Sequence, residues 1–135
     1  YMQAWYSVAM SNPTVLFYAY TKSLTYWDNV VNEMPILNNF VLTASYGGRA
    51  DHMISELGLR STTVVYSEAE AEKLGLAIDH DDSHAARPSL RNQDFALLIH
   101  GTQPKGSEAA TALKALKGKG SYSRKNNKKG LKMIV

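Results

Sequence analysis

Five short stretches gather the side chains able to do chemistry, and each lies where an apolar run gives way to polar residues. Thr21, Lys22 and Ser23 follow the first run. Ser45, Tyr46, Gly47, Gly48 and Arg49 follow the second, Ser67 the third, Asp79 to His84 the fourth, and His100, Gly101, Thr102 and Gln103 the fifth, with Lys105 just beyond. The densest stretch is Asp79, His80, Asp81, Asp82, Ser83 and His84, a set of hard and borderline ligands of the kind that hold Mg²⁺, Mn²⁺ or Zn²⁺. Asp79, His80, Asp81 and His84 are therefore candidate ligands for a divalent metal. No standard ligand spacing is matched. An extended segment would send Asp79, Asp81 and Ser83 one way and His80, Asp82 and His84 the other, so only part of the cluster could converge. The plainer reading is a polar loop in which Asp and Ser cap neighbouring backbone N–H groups.

Residues 101–107 join an apolar run to a helical pattern, with a hydroxyl at Ser107 to cap it and a cation at Lys105. Free amides and the positive end of a helix dipole suit an anion such as phosphate there, although the spacing of a P-loop is absent. An ordinary capped helix explains the same residues. Gly47, Gly48 and Arg49 offer close backbone approach and a guanidinium fork to a second anionic group. Thr21, Lys22 and Ser45 join them as candidate ligand-binding residues. His84 and His100 are the acid–base candidates, each with the alternative of a satisfied structural histidine. No Ser-His-Asp order or nucleophile elbow is present.

The elements that must position these groups follow from periodicity. Met2, Trp5, Tyr6, Ala9 and Met10 recur at helix spacing, and Asn12 with Pro13 ends that helix. Residues 14–20 are apolar on both faces, as a parallel strand covered on both sides would be. Thr25 with Asp28 marks a capping box before the stripe of Trp27, Val30, Val31 and Met34. Strands follow at 40–45, 62–66, 76–79 and 94–100, with a tight turn at Gly47–48, a short helix at 51–57, and helices opening after Ser67 and Ser107. Strand and helix alternate throughout, which gives an α/β class with a mainly parallel sheet. A half (β/α) barrel and a small doubly wound open sheet both fit. In either, ligands gather at the carboxyl ends of the strands, where the five polar stretches fall.

Composition narrows the chemistry. The chain has 135 residues and no cysteine, which excludes disulfides, thiol nucleophiles and Cys-ligated zinc or iron–sulfur clusters within it. It has no apolar run of membrane-spanning length and no signal-peptide pattern. The net charge of +3 is unevenly placed. Lys117, Lys119, Arg124, Lys125, Lys128, Lys129 and Lys132 crowd among Gly, Ser and Asn, while the preceding chain is net acidic. These residues suggest a domain over residues 1–118 and a flexible basic tail over 119–135, serving either nucleic-acid contact or solubility.

Residues 12–23 (NPTVLFYAYTKS), 40–49 (FVLTASYGGR), 76–85 (LAIDHDDSHA) and 95–107 (FALLIHGTQPKGS) together resemble the bacteriophage "gene product 88" family of uncharacterised proteins, over about residue 2 to Arg124. The resemblance implies a longer architecture with a cysteine-bearing segment ahead of the part seen here. It also implies a distant likeness to a partial barrel of radical-SAM type, in which Thr21, Lys22 and Ser45 would be rim positions. This chain has no cysteine to ligate a cluster. A phage-encoded chain is expected in the host cytoplasm. A half barrel leaves strand edges open, so a homodimer is the expected assembly. The expected function is binding of a phosphate-bearing or otherwise anionic small ligand on the polar rim; a non-catalytic nucleic-acid or assembly module using the basic tail is the alternative.

Overall fold

The computed structural model describes residues 1–123. Helices and strands alternate as α1 (Met2–Ser11), β1 (Phe17–Thr21), α2 (Leu24–Glu33), β2 (Phe40–Ser45), α3 (His52–Glu56), β3 (Ser61–Val65), α4 (Glu68–Leu74), β4 (Ala77–Asp79), α5 (Ser83–Ala86), β5 (Phe95–Leu98) and α6 (Glu108–Ala115), with a 3₁₀ turn at Pro88–Leu90. The fold is α/β. The strand order is β1-β2-β3-β5-β4, and the sheet is not closed, as a half barrel or an open sheet requires. β5 lies out of chain order, between β3 and β4. The chain divides into two compact units.

The first unit comprises Tyr1–Ser61 and Ala85–Gln93. β1 and β2 pair in parallel, with Phe17 opposite Phe40 and Thr21 opposite Ala44. Leu24, Ala44 and Ile54 are buried at the centre of the core, and Trp27, Met53 and Leu59 pack around them. Of the apolar stripe on α1, Tyr6 and Ala9 are buried, and the Tyr6 ring stands edge-on to Phe40 at 5.3 Å. Trp5 and Met10 remain nearly half exposed, because a helix lying on one surface buries only the arc facing it. The Asn39 side chain donates to the carbonyls of Ala9 at 2.9 Å and Asn12 at 3.0 Å, which joins the end of α1 to the start of β2.

Two expectations for this unit need correction. β1 is not covered on both sides: it ends the strand order, and Tyr18 and Ala19 are exposed. Nor does Thr25 open α2. The helix starts at Leu24 with Ser23 as its N-cap, the Ser23 N–H donates to Thr21 Oγ1 at 3.0 Å, and the Thr25 hydroxyl meets Met53 Sδ at 3.8 Å.

The second unit comprises Thr62–His84 and the described residues from Asp94 onward. β3 and β4 each pair in parallel with β5, whose four residues are all buried. One face of these strands packs Val65, Ala96 and Leu98 against Ala71 of α4, with Leu76, Ile78 and Leu116 closing over them. On the other face the His84 ring lies 5.2 Å from that of Phe95. α4 starts as its sequence predicts. Ser67 accepts from the Glu70 N–H at 3.2 Å, and the Glu70 carboxylate accepts from the Tyr66 N–H at 2.7 Å. Gly75 ends the helix in the left-handed region at φ 68°.

After α6, Gly120 and Ser121 are buried. The Ser121 hydroxyl donates to the Asp79 carbonyl at 2.6 Å and accepts from the Leu98 N–H at 2.9 Å, while the Ser121 N–H reaches the Leu98 carbonyl at 3.3 Å. One small polar residue thus joins the carboxyl ends of β4 and β5. This short stretch is held by main-chain partners. A Cβ on Gly120 would lie 2.4 Å from the Ile99 carbonyl oxygen, so glycine is needed there for close approach. Ser121→Ala, which leaves a buried N–H without its acceptor, is expected to lower unfolding free energy by about 1–3 kcal/mol. Gly120→Ala should cost about as much through overpacking. Urea denaturation followed by circular dichroism measures both.

Candidate functional site

In the first unit the carboxyl ends of β1 and β2 bring Thr21, Lys22, Ser45, Gly47 and Gly48 together. The Lys22 ammonium donates to Ser45 Oγ at 3.0 Å and to the Tyr46 carbonyl, with the Ser45 carbonyl at 3.5 Å. A Cβ on Gly47 would meet Lys22 Nζ at 3.2 Å, and one on Gly48 would meet the Lys22 carbonyl at 3.0 Å. Gly47 also sits at φ +96°, which favours glycine independently of the contact. The chain turns tightly here so that two successive amides point the same way, as in an anion-binding nest. The anion they meet belongs to the chain. Asp51 Oδ2 accepts from the Gly47 N–H at 2.8 Å, and Oδ1 accepts from the Gly48 N–H at 2.9 Å. The Gly47 hydrogen bond is the largest influence on the Asp51 carboxyl and, with Gly48 and the charges of Lys22 and His52, holds its pKa below the ordinary value despite some desolvation. Arg49 is exposed beside this turn. Asp51 was not singled out in the sequence; its signal was a carboxylate three and four residues after paired glycines.

In the second unit, residues 79–84 form a capped turn. Asp79 is fully buried. Its Oδ1 accepts from the Asp81 N–H at 3.2 Å and the Ser83 hydroxyl at 3.3 Å, and its Oδ2 accepts from the His84 N–H at 3.1 Å, at the start of α5. His84 Nδ1 lies 3.7 Å from Asp79 Oδ1, outside hydrogen-bond distance. Asp82 takes the left-handed conformation at φ 64°, so the segment coils instead of alternating. Among the described residues no three His, Asp or Glu side chains are arranged to hold a metal ion. The expected metal set of Asp79, His80, Asp81 and His84 is therefore not brought together; the carboxylate that would lead it is turned onto main-chain amides.

His100 lies two residues beyond the carboxyl end of β5. His100 Nδ1 lies 2.9 Å from the Leu98 carbonyl, and the Gln103 side-chain amide donates to the His100 carbonyl at 2.7 Å. A carbonyl only accepts, so Nδ1 bears a proton and, in the neutral ring, Nε2 keeps its lone pair. Tyr122 stands edge-on to the imidazole at 4.8 Å, and its N–H donates to the His80 carbonyl at 3.2 Å. Tyr122 does so at φ 61°, an unusual conformation for an aromatic residue. Nothing in the sequence marked Tyr122 for this place.

Beyond His100, Gly101 turns at φ 70°, and Gly101, Thr102 and Lys105 are exposed. Ser107 caps α6, accepting from the Ala110 N–H at 3.0 Å. Lys117 and Lys119 are exposed. Arg124, Lys125, Lys128 and Lys129, the rest of the expected nucleic-acid set, lie outside the described residues. No helix among the described residues is long and apolar enough to cross a membrane.

The lowered pKa of Asp51 sets a pH dependence. Its contribution to stability is complete above the unfolded carboxyl value and disappears as pH falls through the lower folded value, so the loss of stability falls below roughly pH 4. Asp51→Asn cannot titrate, and it keeps one acceptor oxygen where the carboxylate presents two, one to each glycine N–H. Relative to the parent chain, the variant is expected to lose stability at neutral pH and to lose less of it on acidification, measured as urea midpoints across pH 2 to 7. Equal acid slopes would contradict the assignment.

Compared with known protein families, residues 1–118 match the family model described as Gene product 88. No curated protein and no solved structure matches the chain.

Proposed function

We propose that this chain, which belongs to the phage Gene product 88 family, binds a small anionic ligand, of which a phosphate monoester is the type, at the carboxyl end of β5. The observation that carries the reading is the strand order of the second unit. β5 stands between β3 and β4, so the chain passes outward to β4 and then doubles back. In open parallel sheets, ligands sit beyond the carboxyl ends of the strands where the order reverses.

The groups at that place support an anion. Among the described residues, the amides of Gly101 and Thr102 and the ammonium of Lys105 make no hydrogen bond or ion pair within the chain. Two amides and one ammonium near a helix start provide both direction and charge. His100, with Nδ1 engaged by Leu98, presents Nε2 as an acceptor for a ligand hydroxyl or a proton. The first unit's turn stays outside this reading, because the Gly47 and Gly48 amides serve Asp51 and the Lys22 ammonium serves Ser45 and Tyr46.

Titrating the chain with inorganic phosphate and with nucleoside monophosphates, followed by amide chemical shifts, tests the reading. Shifts are expected at residues 100–105, and Lys105→Gln should weaken binding by about five- to tenfold through loss of one charge-assisted contact. The absence of shifts in that loop at millimolar ligand would refute it.

A further inference from the structure

The first unit contains a groove of about 780 Å³ alongside β1, between α1 and α2. That volume is within the range of small-molecule sites. Its lining is unusual in charge and ring content. Seven of its sixteen lining residues are aromatic, among them Tyr1, Trp5, Phe17, Tyr26 and Phe40, and the only charged side chain among the sixteen is that of Glu33. The lining holds no Lys, Arg or His. Tyr1 and Trp5 meet edge to face at 6.5 Å, while Trp5 and Tyr26 remain 46% and 71% exposed. A solvated surface would ordinarily place charge on these positions; α1 has no charged residue along its length.

We infer that this groove binds an organic cation, of the alkylated ammonium class. Aromatic faces carry negative electrostatic potential and attract a cation that sheds its water easily, which a quaternary ammonium does and a metal ion does not. Glu33, the last residue of α2, supplies the single counter-charge. Apart from the α-ammonium of Tyr1, which stands 99% exposed, an anionic ligand would meet Glu33 with no compensating cation in the lining. A neutral apolar ligand would gain from the rings but nothing from Glu33, so charge separates the two classes. The site is independent of the anion loop at β5, because all its lining residues belong to the first unit.

Choline and its neutral carbon isostere, in which a tert-butyl group replaces the trimethylammonium, form the test pair. They are titrated against the intact chain with tryptophan fluorescence and amide shifts as readouts. Choline is expected to bind at least about tenfold tighter than the isostere and to shift residues of α1 and β1, in line with cation–π attraction at a partly exposed site. Glu33 is exposed at a helix end, so Glu33→Gln should keep the fold and weaken choline about fivefold while leaving the isostere unchanged. Equal binding of the two ligands, no binding of choline, or an unaltered choline affinity in Glu33→Gln would each overturn the inference.

Discussion

Strand β5 has a hydrogen-bonded neighbour on each side and buries all four of its residues. A strand so enclosed leaves few places for polar side chains, and the chain can change character only where it enters or leaves. Phe95, Ala96, Leu97 and Leu98 accordingly carry no polar side-chain atom, while His100, Thr102, Gln103 and Lys105 follow within a few residues. The helix layer over Ala96 and Leu98, the ring of His84 on Phe95 and the closure by Ser121 are all consequences of covering this one strand. The open loop beyond it is where the enclosure ends.

Carboxylates at two turns show how the chain satisfies amides that lack a regular partner. Asp51 takes the N–H groups of Gly47 and Gly48, and Asp79 takes those of Asp81 and His84. Both use the same chemistry that would hold a phosphate or, with the charges reversed, a metal ion. An internal acceptor at a fixed distance bears no loss of translational freedom, so it outcompetes a dissolved anion for the same donors. Residue types and spacing alone do not distinguish a turn closed by its own carboxylate from one waiting for a ligand. The loop after His100 differs because no acidic residue lies between Asp94 and Glu108.

Periodicity revealed much of the fold. The strand at 40–45, the Ser67 and Ser107 caps and the parallel class stand as their residues imply, because each rests on local preference: β-branched or aromatic alternation in one case, a hydroxyl at a helix start in the others. Long-range relations were not legible. Residues 14–20 look like a buried strand since they are apolar on both sides, yet β1 ends the sheet and its aromatic residues line a groove. The insertion of β5 between β3 and β4 leaves no local mark. The loop at 79–84 has the composition of a metal site, and the left-handed turn at Asp82 that redirects it is a backbone property invisible in a list of ligands.

The contact made by Ser121 links β4 and β5 to a residue 42 positions after Asp79 and 23 after Leu98. Without that serine, the Leu98 N–H and the Asp79 carbonyl would have only water to serve them. The hydrogen bonding of these two strand ends is therefore completed from a distance, by a short glycine- and lysine-rich segment that follows α6.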